Sequence, residues 1–260
     1  DEDKRKIKFT VKGSQIDISG DFVQGPAEEK KGMEKVAGNA VANYDLQDVS
    51  TLASAYLPKG LVMRGSRSDR IDFASIYPAG QPDKLAANMN ASAKFGFESA
   101  EYMGMNIGQT DVPVKIDSGV LMIEPFTTNV NDGKLNFAGS MDMTKQPIIF
   151  KIPGPLQIVE NINVNEKMSR ELLKYLNPIF ANQSEIRGIA NFQCEELVLP
   201  LGGEAPVRDI RIKGTVSMRD LVMRLQGLLG EALRFARTRP NVTADVLPTD
   251  FLMADGKLSY

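Results

Sequence analysis

The chain has 260 residues, 42% hydrophobic and 25% charged, which is enough apolar material for a sizeable core. Its 31 basic and 33 acidic residues leave a net charge of −2, without the basic excess that nucleic-acid binding uses. With no His and one Cys, the chain cannot build Ser-His or Cys-His nucleophile pairs, His-ligated metal sites or an internal disulfide.

After a charged start, Ile7, Phe9 and Val11 alternate with Lys6, Lys8, Thr10 and Lys12. That period of two marks a strand with one buried face. Gly13-Ser14 turns the chain into a return strand with Ile16 and Ile18. Residues 25–32 read as a polar connector and 33–44 as a further strand. Helical spacing at Leu46, Val49, Leu52, Ala53 and Tyr56 predicts a helix ended by Pro58 and Gly60. The next extended stretch, 61–75, carries Arg64, Arg67, Asp69, Arg70 and Asp72, read as a solvated outer face. A loop at 77–82 and a short helix at 83–89 follow.

Residues 91–108 predict a strand, a bend and a second strand. From Pro113 to Met143 come three strands and two tight turns, at Asp117-Ser118-Gly119 and Asn131-Asp132-Gly133. Leu135, Phe137, Gly139, Met141 and Met143 alternate after the second turn. NDGKLNF at 131–137 and ADGKLSY at 254–260 read as one motif used twice, which suggests a sheet that grows by repetition and a final strand cut off within a repeat. A strand at 147–152 meets the corner Pro153-Gly154-Pro155. A helix is predicted from an N-cap at Asn165, with Met168, Leu172, Leu173, Tyr175, Leu176 and Ile179 on one stripe.

The long strand 184–200 carries Ile186, Phe192, Cys194, Leu197 and Leu199, with a phase slip near Glu195-Glu196 that predicts a bulge. Cys194 reads as a buried structural thiol. Ile210, Ile212, Gly214, Val216 and Met218 then alternate strictly with Arg211, Lys213, Thr215, Ser217 and Arg219. A second helix is predicted over 224–237, with Leu225, Leu228, Leu229 and Leu233 on a broad stripe that suits a lid packed on the sheet. Arg224, Arg234, Arg237 and Arg239 lie off that stripe, and the alternative placement is on a lipid surface. The last strands are expected at 241–247 and 255–260.

The predicted fold class is therefore mainly β with interspersed helices (α+β): a curved antiparallel sheet forming an elongated apolar groove, covered in part by amphipathic helices. Three segments are expected: a β-rich part with one helix over 1–90, a repeat-type sheet over 91–164, and a helix-strand segment over 165–260. Acidic pairs exist at Glu28-Glu29, Glu195-Glu196 and Asp250 with Asp255, but adjacent strand residues point to opposite faces, so no catalytic residue is assigned. No nucleotide-binding glycine loop, metal site or cofactor is expected. Candidate groove-lining residues are Leu135, Phe137, Met141, Met143, Phe192, Ile210, Ile212, Val216 and Met218. Pattern alone leaves open whether they line a closed core or an apolar face available to lipid chains.

The stretch 91–143 resembles the C-terminal repeat region of the AsmA-like proteins of Gram-negative-type bacteria. There a turn leads into a G-x-L-x-I-x-P-F strand and then a D/N-G-x-L-x-F/A-G strand. Gly119, Leu121, Ile123, Pro125 and Phe126 match the first, and Gly133, Leu135, Phe137 and Gly139 the second. The part from Asn165 to Tyr260 looks like helix-plus-strand segments of large members of that family, and 1–90 matches only loosely. The resemblance implies a non-enzymatic β-groove in the periplasm, anchored to the inner membrane by a helix outside this stretch. It would bind phospholipid acyl chains and serve lipid transport to the outer membrane or that membrane's maintenance. The alternative is a scaffold for outer-membrane protein assembly that works through an open sheet edge; a carboxylate hydrolase ranks last.

Overall fold

The computed structural model describes residues 4–52, 60–175, 186–201, 209–224 and 241–260. It is mainly β with few helices. Its strands are β1 (Arg5–Lys12), β2 (Ile16–Pro26), β3 (Met33–Asp45), β4 (Val62–Arg64), β5 (Ser66–Pro78), β6 (Met89–Phe97), β7 (Ser99–Tyr102), β8 (Met105–Ile107) and β9 (Thr110–Asp117). There follow β10 (Val120–Val130), β11 (Gly133–Asp142), β12 (Ile148–Lys151), β13 (Leu156–Val164), β14 (Ile186–Leu201), β15 (Arg211–Arg224), β16 (Asn241–Ala254) and β17 (Lys257–Ser259). The helices are α1 (Leu46–Leu52), α2 (Lys84–Ala87) and α3 (Glu166–Glu171), with a 3-10 turn at Leu173–Tyr175.

All these strands join one antiparallel sheet, and their pairings follow chain order. Several of the segments are pieces of longer strands. β7 pairs with β8 in the register that already joins β6 to β9: Phe97 faces Thr110, and Ala100 faces Ile107. The same register carries β10 from β9 onto β8. A break at Gly65, with φ +131°, separates β4 from β5. The Pro153-Gly154-Pro155 corner separates β12 from β13, and both pair with β14. The expected segments 1–90, 91–164 and 165–260 thus meet inside one hydrogen-bonded sheet.

A meander turns alternately at two ends. The β3–β4, β13–β14 and β15–β16 connections leave from one end, where α1 and α3 also sit. This is the α3 end of the sheet, and the hairpins β9–β10 and β16–β17 turn at the opposite end. The tight hairpins use left-handed residues in pairs: Met103-Gly104, Ser118-Gly119, Asn131-Asp132 and Asp255-Gly256.

That last pair corrects a sequence expectation. NDGKLNF and ADGKLSY share letters but not register. In the first, Asn131-Asp132 form the turn and Gly133 is already paired with Val130. In the second, Asp255-Gly256 form the turn and Lys257 pairs with Ala254. Gly133 is there for space: a Cβ would lie 2.4 Å from the Asn161 carbonyl oxygen.

Other expectations shift as well. β13 was not anticipated. Its register slips between Gln157 and Val159 and again before Ile162, which hides the period of two. β16 runs through Pro248 to Ala254 rather than stopping at Leu247, because a slip near that proline keeps it at an irregular position. β15 continues to Arg224, where a helix was expected to start. Leu225, Leu228, Leu229 and Leu233 lie outside the described residues, as do Leu176 and Ile179. α3 keeps its N-cap, with the Asn165 side chain accepting from the Met168 amide at 2.9 Å, but Tyr175 is exposed rather than on the buried stripe. The charges of β5 are not all solvated: Arg70 and Asp72 are, whereas Asp69 is buried and Arg67 half-buried.

Candidate functional site

Directly paired residues of neighbouring strands point to the same side of a sheet. One such row reads Phe9, Gly20, Ala40, Ile71, Ala93, Val114, Ile123 and Gly139. Two residues along each strand, a second row reads Ile7, Phe22, Gly38, Phe73, Ala91, Ile116, Leu121, Met141, Phe150 and Leu199. Every member is apolar or glycine. The row between them faces the other way and reads Lys8, Asp21, Asn39, Asp72, Ser92, Lys115, Met122, Ser140 and Lys151. The apolar side continues through Leu135, Val159, Phe192 and Val216, and through Leu197, Ile212, Met253 and Leu258.

Glycines on this face make room for rings. Phe137 and Phe150 stack with centroids 5.7 Å apart and planes 5° from parallel, and a Cβ on Gly139 would lie 2.1 Å from the Phe150 ring. Phe192 and Phe251 approach to 5.8 Å beside Gly214, where a Cβ would meet the Phe192 ring at 2.7 Å. Phe22 and Phe73 flank Gly38 with centroids 6.5 Å apart. In each case the missing side chain lets aromatics from neighbouring strands lean over the backbone.

The face is not sealed throughout. Ile7, Phe95 and Leu201 on it are 37%, 37% and 38% exposed. Two polar clusters interrupt it at β2–β5. Toward the opposite end, Gln24 donates to Glu34 at 3.0 Å, and the Tyr77 hydroxyl donates to Glu34 at 2.9 Å; these bonds hold the Glu34 carboxyl below its usual range. Toward the α3 end, Tyr44 donates to Asp69, and Arg67 Nη2 donates to Asp69 at 2.9 Å and to Asp111 at 2.7 Å. Burial, and then the neighbouring Asp69, raise the Tyr44 hydroxyl, so it stays a donor. Arg67 Nε has no hydrogen-bond partner among the described residues. The sequence hid this cluster because its members come from β3, β5 and the β9 edge.

Over β10–β16 the α3 end is closed. Met168 and Leu173 pack with Val130, Ile162, Val164, Ile186, Met218 and Leu221 in a buried cluster. The anticipated lining residues divide around it. Val216 and Met218 belong to the cluster, and Leu135, Phe192 and Ile212 pack against it. Phe137 and Met141 lie on the half-buried part of the face. Met143 sits beyond β11, with its amide bonded to the Gly119 carbonyl, and is 38% exposed; Ile210 just precedes β15.

Other chemistry is accounted for locally. Cys194 is fully buried, its thiol donates to the Glu196 carbonyl at 3.3 Å, and burial pushes its pKa up to about 11. The predicted bulge lies between Cys194 and Glu196. Glu195 pairs with Lys213 and Glu196 with Arg211, so these carboxylates serve cross-strand ion pairs. Glu28 pairs with Lys4, and Asp250 accepts from Thr215. Among the described residues no helix is long and apolar enough to cross a membrane. The chain matches no protein-family model, no curated protein and no solved structure.

Proposed function

We propose that the apolar face is a lipid-handling groove and that the chain is a non-enzymatic segment of an AsmA-like protein, working on phospholipid in the periplasm. The observation that carries this reading is the ten-strand apolar row from Ile7 to Leu199, in register and partly exposed. A contiguous apolar surface of this extent calls for an apolar occupant.

Backbone chemistry favours acyl chains over peptide on that face. The sheet's own N–H and C=O groups are spent on neighbouring strands. A peptide laid across the side chains would bury its backbone polar groups without partners, at a cost of a few kcal/mol each. A hydrocarbon chain has no such groups. The resemblance over 91–143 points to the same ligand class and supplies the periplasmic setting and the inner-membrane anchor.

The test is organic extraction of the purified protein followed by mass spectrometry, with phospholipid expected in stoichiometric amounts. A second reading, an assembly scaffold acting by strand addition, draws on β1: among the described residues it pairs only with β2, and Val11 is 59% exposed. Absence of lipid together with tight binding of an extended peptide would favour that scaffold.

A further inference from the structure

We propose that Glu34 and Arg5 form a head-group subsite on the apolar face for phospholipids that carry a primary ammonium beside the phosphate, as a phosphoethanolamine head group does. This rests on the lipid-handling reading above.

Register carries the placement. The apolar residues Ile7, Phe22, Gly38 and Phe73 are followed, two positions along each strand toward the opposite end, by Arg5, Gln24, Val36 and Ser75. Two positions further come Pro26, Glu34 and Tyr77. On β1–β5 the face thus passes from hydrocarbon to polar groups within two steps of roughly 7 Å each. The polar part is open over β1–β3, where Arg5 is exposed and Gln24 and Glu34 are half-buried. Val36, Ser75 and Tyr77 beside them are buried, and the Ser75 hydroxyl donates to the Leu85 carbonyl of α2 at 2.8 Å.

Glu34 is held ready to accept a donor. Gln24 Nε2 and the Tyr77 hydroxyl both donate to its Oε2, and Gln24 Nε2 also donates to the Tyr77 hydroxyl at 3.2 Å. Glu34 Oε1 has no hydrogen-bond partner among the described residues and is not buried. A fixed carboxylate with one open oxygen suits a charged N–H donor. The other polar cluster offers no such atom on this face. There Asp69 is buried, its Oδ2 accepts from Tyr44 and its Oδ1 from Arg67. Asp111 pairs with Gly96, between Phe95 and Phe97, and so faces the other way.

Arg5 supplies the opposite charge. Its pairing with Gln24 puts it on the same side as Glu34, two strands and about 10 Å away across β2. Its charge adds to the Gln24 and Tyr77 bonds that hold the Glu34 carboxyl below its usual range. A phosphate at Arg5 and an ammonium at Glu34 match the two charges of phosphoethanolamine, with the acyl chains running on over Ile7 and Phe22. Phosphocholine presents three methyl groups and no N–H. Phosphoglycerol brings only negative charge, and phosphoserine adds a carboxylate that Glu34 repels.

The experiment incubates the wild-type protein with an equimolar, detergent-dispersed mixture of phosphoethanolamine, phosphocholine, phosphoglycerol and phosphoserine lipids with identical acyl chains. The protein is re-isolated and its bound lipids are quantified by mass spectrometry. Phosphoethanolamine is expected to be enriched about two- to fivefold over phosphocholine, the size of a solvent-reached ion pair. Phosphoglycerol should rank lowest. Glu34→Gln keeps an acceptor for Gln24 and Tyr77 but loses the charge, so it should take up as much total lipid with the enrichment gone. Arg5→Ala should lower uptake of all four lipids without changing their order. A second measurement needs only the wild type: methylating the ethanolamine nitrogen one step at a time should lower the enrichment, and the third methyl should abolish it. Equal uptake of the four head groups, an enrichment that survives Glu34→Gln, or one indifferent to methylation would overturn the subsite while leaving lipid binding intact. No uptake of any lipid would remove the lipid-handling reading, and this subsite with it.

Discussion

Gly139 shows what a single hydrogen does in this sheet. The Phe150 ring occupies the space a Cβ would need, 2.1 Å away, and Phe150 is 6% exposed, so the ring cannot swing into open water without cost. Gly139→Ala should lower stability by about 1–3 kcal/mol through overpacking. Replacing Phe150 by Leu in the same chain should recover part of the loss, measured by urea unfolding. Recovery separates the ring clash from a general intolerance of alanine. Cys194 supplies a pH test. Its thiol pKa is pushed up to about 11 by burial, above the ordinary thiol value. The unfolded chain therefore ionises first as pH rises. The stability linked to this proton is complete below the unfolded pKa and is lost as pH climbs through the folded one. The wild type should lose on the order of 2 kcal/mol relative to Cys194→Ala between pH ~8.5 and ~11. Parallel alkaline curves for the two proteins would refute this.

At the scale of elements, the strands with one clean period were legible from their residues alone. β1, β2, β11 and β15 alternate without a slip over most of their length, and in β14 the predicted bulge appears where the alternation changes phase, at Cys194–Glu196. β13 was illegible because its bulges put Val159 and Ile162 on one face three positions apart. β16 looked finished at Pro248 because a proline inside a strand reads as a stop, and only the register slip in the fold makes room for it. The polar cluster around Arg67 could not be read at all, since nothing in the β5 charges reports that Tyr44 and Asp111 converge on them. α3 was legible through its cap. Its side-chain oxygen satisfies the Met168 amide and its nitrogen the Gly104 carbonyl. Asn165→Ala removes both bonds and should cost about 1–2 kcal/mol, whereas Asn165→Asp keeps the cap and loses only the donor. Thermal melts that rank Asp between wild type and Ala are the expected result. Equal melting of all three would mean that the cluster under the helix, and not the cap, holds it.

At the scale of the whole molecule, alternation across so many strands separates two surfaces that differ in chemistry but not in backbone. The candidate lining residues were legible as apolar, but their arrangement was not, because a row such as Ile7 to Leu199 exists only once cross-strand register is known. Whether that surface behaves as dry core or as an accessible face is a question about free energy. Ile123, between Val114 and Gly139 in the first row, decides it. In a dry core, Ile123→Asp would bury an unpaired carboxylate and unfold the protein. On an accessible face the carboxylate keeps part of its water, and the loss is mainly half of an isoleucine's burial, on the order of 1–2 kcal/mol. Lys115 on the other side is the matching control. It is exposed and paired with Glu124, so Lys115→Ala should change stability by less than about 0.5 kcal/mol. The expected outcome is an Ile123→Asp protein that melts somewhat earlier yet stays folded, and that co-purifies with much less phospholipid than either the wild type or Lys115→Ala. An Ile123→Asp protein that fails to fold, alongside a normal Lys115→Ala, would show that the face is closed at that point. A folded variant with undiminished lipid would move the binding surface away from β9–β11 altogether.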